Sequence, residues 1–137
     1  MGLTVLDAGV VIAVLDADDS HHDAALTALA ACRDRGDDLA LPASAYAECL
    51  VAPSRRGAAA IATVDRFVDA LPARVEPVTR TIAASAAALR ASHGPAFRLP
   101  DALVVATGLT LGAERILTTD ARWPALPIPI KVVASQA

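Results

Sequence analysis

The chain holds two cysteines, one lysine and one tryptophan in 137 residues, and aromatic residues make up only 3% of it. Each shortage removes a class of function. Cys32 and Cys49 both lie in apolar helical stretches, and His21, His22 and His93 complete no ligand spacing with them, so neither a disulfide framework nor a zinc site has anything to rest on. The pattern is that of a reduced, cytoplasmic protein with two buried thiols. So few aromatic side chains offer no platform for stacking the bases of a single strand. A formal charge of −3 excludes a broad basic face, because neutralised phosphates supply most non-specific affinity for nucleic acid. Contact with RNA therefore has to be local or bridged by a metal ion. Long apolar runs are missing too: Leu3 to Leu15 carries Asp7 at its centre, and Ala102 to Ala113 is too short to span a bilayer. Both read as the core of a protein that does not enter a membrane.

What is plentiful is Ala, Val and Leu, in a length that suits one domain over residues 1–137. Leu3-Thr4-Val5-Leu6 reads as a strand buried on both faces, and Val10 to Leu15 as a buried helix after a turn at Asp7-Ala8-Gly9. Asp18-Asp19-Ser20 supplies an N-cap for a helix from about His22 to Arg35, which Gly36 ends. Leu39-Ala40-Leu41 is a short strand stopped by Pro42. Ser44 is expected to cap a helix carrying Tyr46, Glu48 and Leu50, with Pro53-Ser54-Arg55-Arg56-Gly57 as a loop before the next helix, Ala58 to Leu71. Val75-Glu76-Pro77-Val78 reads as an extended segment near a sheet edge, followed by a helix from about Arg80 to Ser92. Pro100 stands in the first turn of a helix striped by Ala102, Val105, Ala106 and Leu109, with Gly112 as its C-cap. Ile116 to Thr119 and Ile130 to Val133 complete the strands. This alternation predicts an α/β protein, a three-layer α/β/α arrangement with a central, mostly parallel sheet.

Four acids stand in telling places. In an open α/β sheet ligands bind beyond the carboxyl ends of the strands, where strand order reverses. Asp7 ends the first strand, Asp120 ends the fourth, and Asp101 lies in the first turn of the helix before that strand. Glu48 sits among small and apolar neighbours. Taken singly each has a bland role: Asp7 and Asp101 as helix caps, Asp120 as a turn former, Glu48 as a side chain reaching solvent. Taken together, four carboxylates with no basic partner beside them repel one another unless a cation neutralises them. Hard oxygen donors select Mg²⁺ or Mn²⁺.

The joint pattern resembles the PIN-domain ribonucleases, and among them the VapC-type toxins of type II toxin-antitoxin modules. The resemblance runs through Leu3-Thr4-Val5-Leu6-Asp7-Ala8-Gly9, Tyr46-Ala47-Glu48, Arg98-Leu99-Pro100-Asp101-Ala102, and Gly112 through Thr118-Thr119-Asp120. It implies Asp7, Glu48, Asp101 and Asp120 as catalytic metal ligands, Thr118 as an active-site hydroxyl, and hydrolysis of RNA with bound Mg²⁺ or Mn²⁺. It also implies a cognate antitoxin whose tail occupies the active-site groove, and a homodimer. Two positions depart from the family pattern. Ala8 stands where many relatives have Ser or Thr, which removes one hydrogen bond expected to support Asp7, and Trp123 replaces a common Phe, a change of packing. Arg55, Arg56 and Arg98 are candidates for contact with RNA phosphates. Two alternatives stay open: a non-catalytic PIN-fold binding module, and phosphotransfer through an aspartyl-phosphate on Asp7. The second lacks a further acid two residues after Asp7 and a well-placed lysine, since Lys131 is the only one.

Overall fold

The computed structural model describes residues 2–135. Eleven elements alternate along them: β1 (Leu3–Leu6), α1 (Ala8–Leu15), α2 (His22–Arg35), β2 (Asp38–Pro42), α3 (Ala43–Arg56), α4 (Ala58–Ala70), β3 (Ala73–Glu76), α5 (Arg80–His93), α6 (Leu99–Leu111), β4 (Arg115–Thr118) and β5 (Ile130–Val132). The strands form one sheet in the order β3-β2-β1-β4-β5, and every pairing is parallel. The expected α/β architecture with a central parallel sheet flanked by helices is what the chain adopts. The chain adds strands on one side of β1, then returns to add β4 and β5 on the other. The crevice for a ligand in such a sheet lies where the direction reverses, between the carboxyl ends of β1 and β4.

The core explains why these segments fold as they do. Val5, Leu6, Leu41, Ile116 and Leu117 are fully or almost fully buried, as strands covered by helices on both faces must be. Helix α1 has Val10, Val11 and Ala13 buried, and α6 buries Ala102 and the run from Val104 to Gly108. Gly36 and Gly112 cap α2 and α6 in the left-handed conformation, as their positions in the sequence suggest. The proline-flanked segment does lie at an edge, as β3, but begins earlier, at Ala73. Cys32 and Cys49 are buried free thiols.

Three local expectations are corrected. Residues 53–57 are no loop: α3 continues through Pro53 to Arg56 and breaks only at Gly57, whose φ of 115° suits glycine. Pro53 is buried and costs the helix one hydrogen bond, but packing holds it, and Arg55 and Arg56 in the last turn complement the helix dipole. Arg55 and Arg56 are therefore helical. Ser44 does not cap α3, because the chain passes from β2 into the helix without a loop and Pro42 takes the cap position. Ser44 Oγ is buried with no hydrogen-bond partner among the described residues. Nor does Asp18-Asp19-Ser20 cap α2, whose N-cap is His21 without a side-chain bond. Asp19 instead closes the preceding turn, its carboxylate accepting from His21 N at 2.8 Å and its carbonyl from His22 N at 3.0 Å.

Candidate active site

Asp7 is the single residue between β1 and α1, with extended backbone. Parallel pairing of β1 with β4 sets Leu6 opposite Leu117, so the next residues, Asp7 and Thr118, emerge together at the carboxyl edge. Thr118 Oγ1 donates to Asp7 Oδ2 at 2.7 Å, Ala8 N donates to Asp7 Oδ1 at 2.9 Å, and Thr118 Oγ1 accepts from Asp120 N at 3.1 Å. Asp7 and Thr118 are buried. The capping role weighed for Asp7 is thus real, and it coexists with a place in the acid cluster. Asp120 is also the turn former its sequence suggests, its Oδ1 accepting from Arg122 N at 2.8 Å and pairing with Arg122 Nε at 3.3 Å.

Glu48 and Asp101 differ. Asp101 is in the first turn of α6, but the N-cap is Arg98, and no hydrogen bond from the described residues engages the Asp101 carboxylate. Helix capping does not account for it. Glu48 is exposed on α3 and lines a cleft of ≈ 480 Å³ with Ile12, Leu15, Asp16, Arg56 and Val64. Three rings join the segments that carry Asp101 and Asp120: His93 against Phe97 at 5.7 Å, and Phe97 against Trp123 at 6.0 Å, both edge-to-face. Trp123 is a packing residue, as expected.

The four acids act on one another electrostatically. Burial pushes the Asp7 carboxyl up against the pull of its Thr118 and Ala8 hydrogen bonds, and the charges of Glu48 and Asp120 push it further. Asp101 is pushed up to about 6, by burial first and then by Asp7 and Asp120, with Arg98 and Arg122 opposing. Glu48 is raised by partial burial of its carboxyl and by Asp101, again against Arg98. Of the four only Asp120 runs the other way: burial raises it, but the Arg122 N–H and guanidinium outweigh that and hold it below the usual range. The fold therefore joins Asp7, Thr118 and Asp120 by hydrogen bonds and sets Glu48 and Asp101 within electrostatic reach of the other acids. The Arg98 charge acts to lower both Glu48 and Asp101, Arg56 shares the Glu48 cleft, and Arg55 is exposed and does not line it. Arg122 is a residue that sequence reasoning missed, although the Asp-Ala-Arg spacing of an Asx turn was there to be read.

The donor set suits a hard divalent cation. Among the described residues no hydrogen bond engages the Glu48 or Asp101 carboxylate, only Oδ1 of Asp120 is engaged, and every donor is oxygen. No three acidic, histidine or cysteine side chains among the described residues are gathered as a ready-made cage. Mg²⁺ does not require one, since it keeps several waters and takes one or two carboxylates directly.

Thr118→Val is expected to destabilise the protein by about 1–3 kcal/mol, because it leaves the buried Asp7 Oδ2 and the Asp120 N–H without partners in one step. Denaturant midpoints check this, and an unchanged midpoint would mean that the hydroxyl does not hold the site together.

With this geometry in place, the class is defined by comparison. A PIN domain family model matches residues 4–128, and the chain belongs to the PIN domain family. Solved structures of similar fold include a toxin-antitoxin complex from Klebsiella pneumoniae, at TM-score 0.74 and 20% identity over 97% of this chain and 99% of that one. VapC20 of Mycobacterium tuberculosis, described as a toxin cleaving the sarcin-ricin loop, matches at TM-score 0.72 and 20% identity over 87% and 91%. VapBC2 of Rickettsia felis, bound to a fragment of promoter DNA, matches at TM-score 0.72 and 12% identity over 98% and 99%. At these identities the likeness is one of fold. No curated protein matches the chain. Among the described residues no helix is long and apolar enough to cross a membrane.

Proposed function

We propose that residues 1–137 form one nuclease domain, a metal-dependent endoribonuclease that serves as the toxin of a type II toxin-antitoxin module in the cytoplasm. The observation that carries this is the hydrogen-bonded run from Asp7 through Thr118 to Asp120 at the strand-order switch, with Glu48 and Asp101 in electrostatic reach of the cluster, in a chain of the PIN family. Those four residues would hold Mg²⁺ or Mn²⁺. When bound, such an ion supplies Lewis-acid activation of water and charge stabilisation at the phosphoryl group. The chain's own part is positional. Thr118 holds the Asp7 carboxylate through its hydroxyl, and Asp120 N–H orients that hydroxyl in turn. Arg98 and Arg122 stand where an RNA phosphate entering the acid cluster would meet compensating charge, with Arg56 further along the cleft. This restricts basic contacts to a few residues, as the chain's net charge of −3 demands.

Ile12 and Leu15 are large apolar side chains left partly open to solvent, and with Val64 they wall the cleft beside Glu48. An apolar groove opening onto acids suits the docked segment of an antitoxin with a basic residue at its end. The structural neighbours described as toxin-antitoxin assemblies support that partner, and a homodimer is proposed by the same kinship. An aspartyl-phosphate route has less behind it. Both Asp7 carboxylate oxygens are engaged, and Lys131 shares a separate cleft with Arg35 and Arg115.

Metal removal tests the proposal. Cleavage of a structured RNA by protein freed of metal should vanish in excess EDTA and return with Mg²⁺ or Mn²⁺. Undiminished cleavage in EDTA would overturn the mechanism, and RNA binding without cleavage under any metal would identify a binding module instead.

A further inference from the structure

Gly9 is the second residue of α1, in its first turn, where helix formation itself favours alanine over glycine. Its backbone conformation gives no reason for glycine, because the positive-φ glycines are Gly36, Gly57, Gly94 and Gly112. Space gives one. A Cβ on Gly9 would stand 2.3 Å from Thr119 Oγ1, 3.4 Å from Thr119 Cβ and 3.5 Å from Thr119 Cγ2. Thr119 is β-branched and stiff at χ1, so turning Oγ1 away swings Cγ2 with it. The first turn of α1 thus lies directly against the residue that follows β4.

The neighbours of this contact are the groups of the proposed site. Asp7 is two residues before Gly9, and Thr118 and Asp120 flank Thr119. The 2.7 Å bond from Thr118 to Asp7 and the 3.1 Å bond from Asp120 N to Thr118 both bridge or border the seam between α1 and β4. Such bonds weaken steeply when their geometry is displaced. We infer that Gly9 and Thr119 are a positioning pair: the missing side chain at residue 9 lets α1 begin close enough to β4 for the Thr118 hydroxyl to hold the Asp7 carboxylate in place for a metal ion. Gly9 and Thr119 act through Asp7 and Thr118. The inference rests on the reading of Asp7 as a metal ligand.

The test uses Gly9→Ala, Thr119→Ala and the double variant, read in two ways. Amide hydrogen exchange in the metal-free protein reports the Ala8 and Asp120 N–H groups directly, and calorimetry reports Mn²⁺ affinity. Helix propensity alone predicts that Gly9→Ala improves α1, so the expected result has the opposite sign. Gly9→Ala should lose protection at both amides and bind Mn²⁺ about 10–100-fold more weakly, the range for residues that orient a ligand from behind. Thr119→Ala removes the Oγ1 that the new Cβ would strike and is the background against which the double variant is compared. The double variant should regain most of the loss, because only the 3.4 Å contact to Cβ then remains. If Gly9→Ala fails to fold, a double variant that folds and binds Mn²⁺ supports the pair in the same way. Gly9→Ala matching wild type in both readouts, or a double variant no better than Gly9→Ala, overturns it. Asp7→Asn serves as the control. Wild-type protein that binds Mn²⁺ no better than Asp7→Asn would fail the metal-site reading, and the exchange data would still decide the Gly9 contact.

Discussion

Asp7→Asn is expected to lower RNA cleavage at least about 100-fold while the fold survives, since replacing even an outer-shell partner of a metal costs 10–100-fold and Asp7 is placed as a ligand. Asparagine is nearly isosteric and still offers an oxygen to Ala8 N, and its NH₂ can meet the second lone pair of Thr118 Oγ1. Charge is what the variant removes. Glu48→Gln, Asp101→Asn and Asp120→Asn should behave alike. Asp18→Asn and Asp69→Asn, which alter exposed acids away from the cluster, should leave the rate unchanged. Circular dichroism verifies the fold of each variant and a fluorogenic RNA gives its rate. Two or more cluster variants with wild-type rates would show that the site is assigned wrongly.

The second large effect is on stability, and pH gives it a sign. Asp101 has an ordinary value of 3.8 and is pushed up to about 6 in the folded chain. Its contribution to stability is therefore fully present below about pH 3.8 and is lost as pH rises through about 6. Asp7 and Glu48, also raised, act in the same direction. Asp120 and Asp37 are lowered against their burial, by Arg122 and by Arg35 and Thr4 respectively, so their contributions disappear only on acidification below the ordinary carboxylate range. The metal-free protein should accordingly melt at a higher temperature at pH 5.5 than at pH 7.5. Asp101→Asn should flatten that slope and be at least as stable as wild type at pH 7.5. At pH 7.5 Mg²⁺ or Mn²⁺ should raise the wild-type midpoint with concentration, by about 2.7 kcal/mol at 100 times the dissociation constant. NaCl at matched ionic strength should not, because screening is not ion-specific. An Asp101→Asn protein that is clearly less stable without metal, yet responds to metal as wild type does, would make Asp101 a structural residue and no ligand.

Much of this was legible in the chain because the signals are local. Leu3 to Leu6 and Ile116 to Thr118 are apolar runs with few alternatives to a buried strand, and Gly36 and Gly112 stop helices wherever they are read. The acids at the ends of those strands stood out because a buried strand that finishes on Asp invites a question about neutralising charge. Local signals failed where two effects competed at one place. Pro53 forbids one hydrogen bond, but the packing of α3 outweighs that, and Ser44 is a good cap in a helix that started too early to need it.

The sequence by itself determined which acids are candidates, and that Asp7 and Asp120 follow strands while Asp101 opens a helix, since those facts rest on residue type and spacing. Only the tertiary structure decided that they come within electrostatic reach of one another. The bond between Thr118 and Asp7 joins residues 111 positions apart, and it exists because β4 returns to pair with β1 instead of extending the edge at β3. That same return presses Thr119 onto Gly9, whereas the pairing of Arg122 with Asp120 two residues away is local. Strand order is settled by how the layers pack over the whole chain, and no stretch of a few residues carries it.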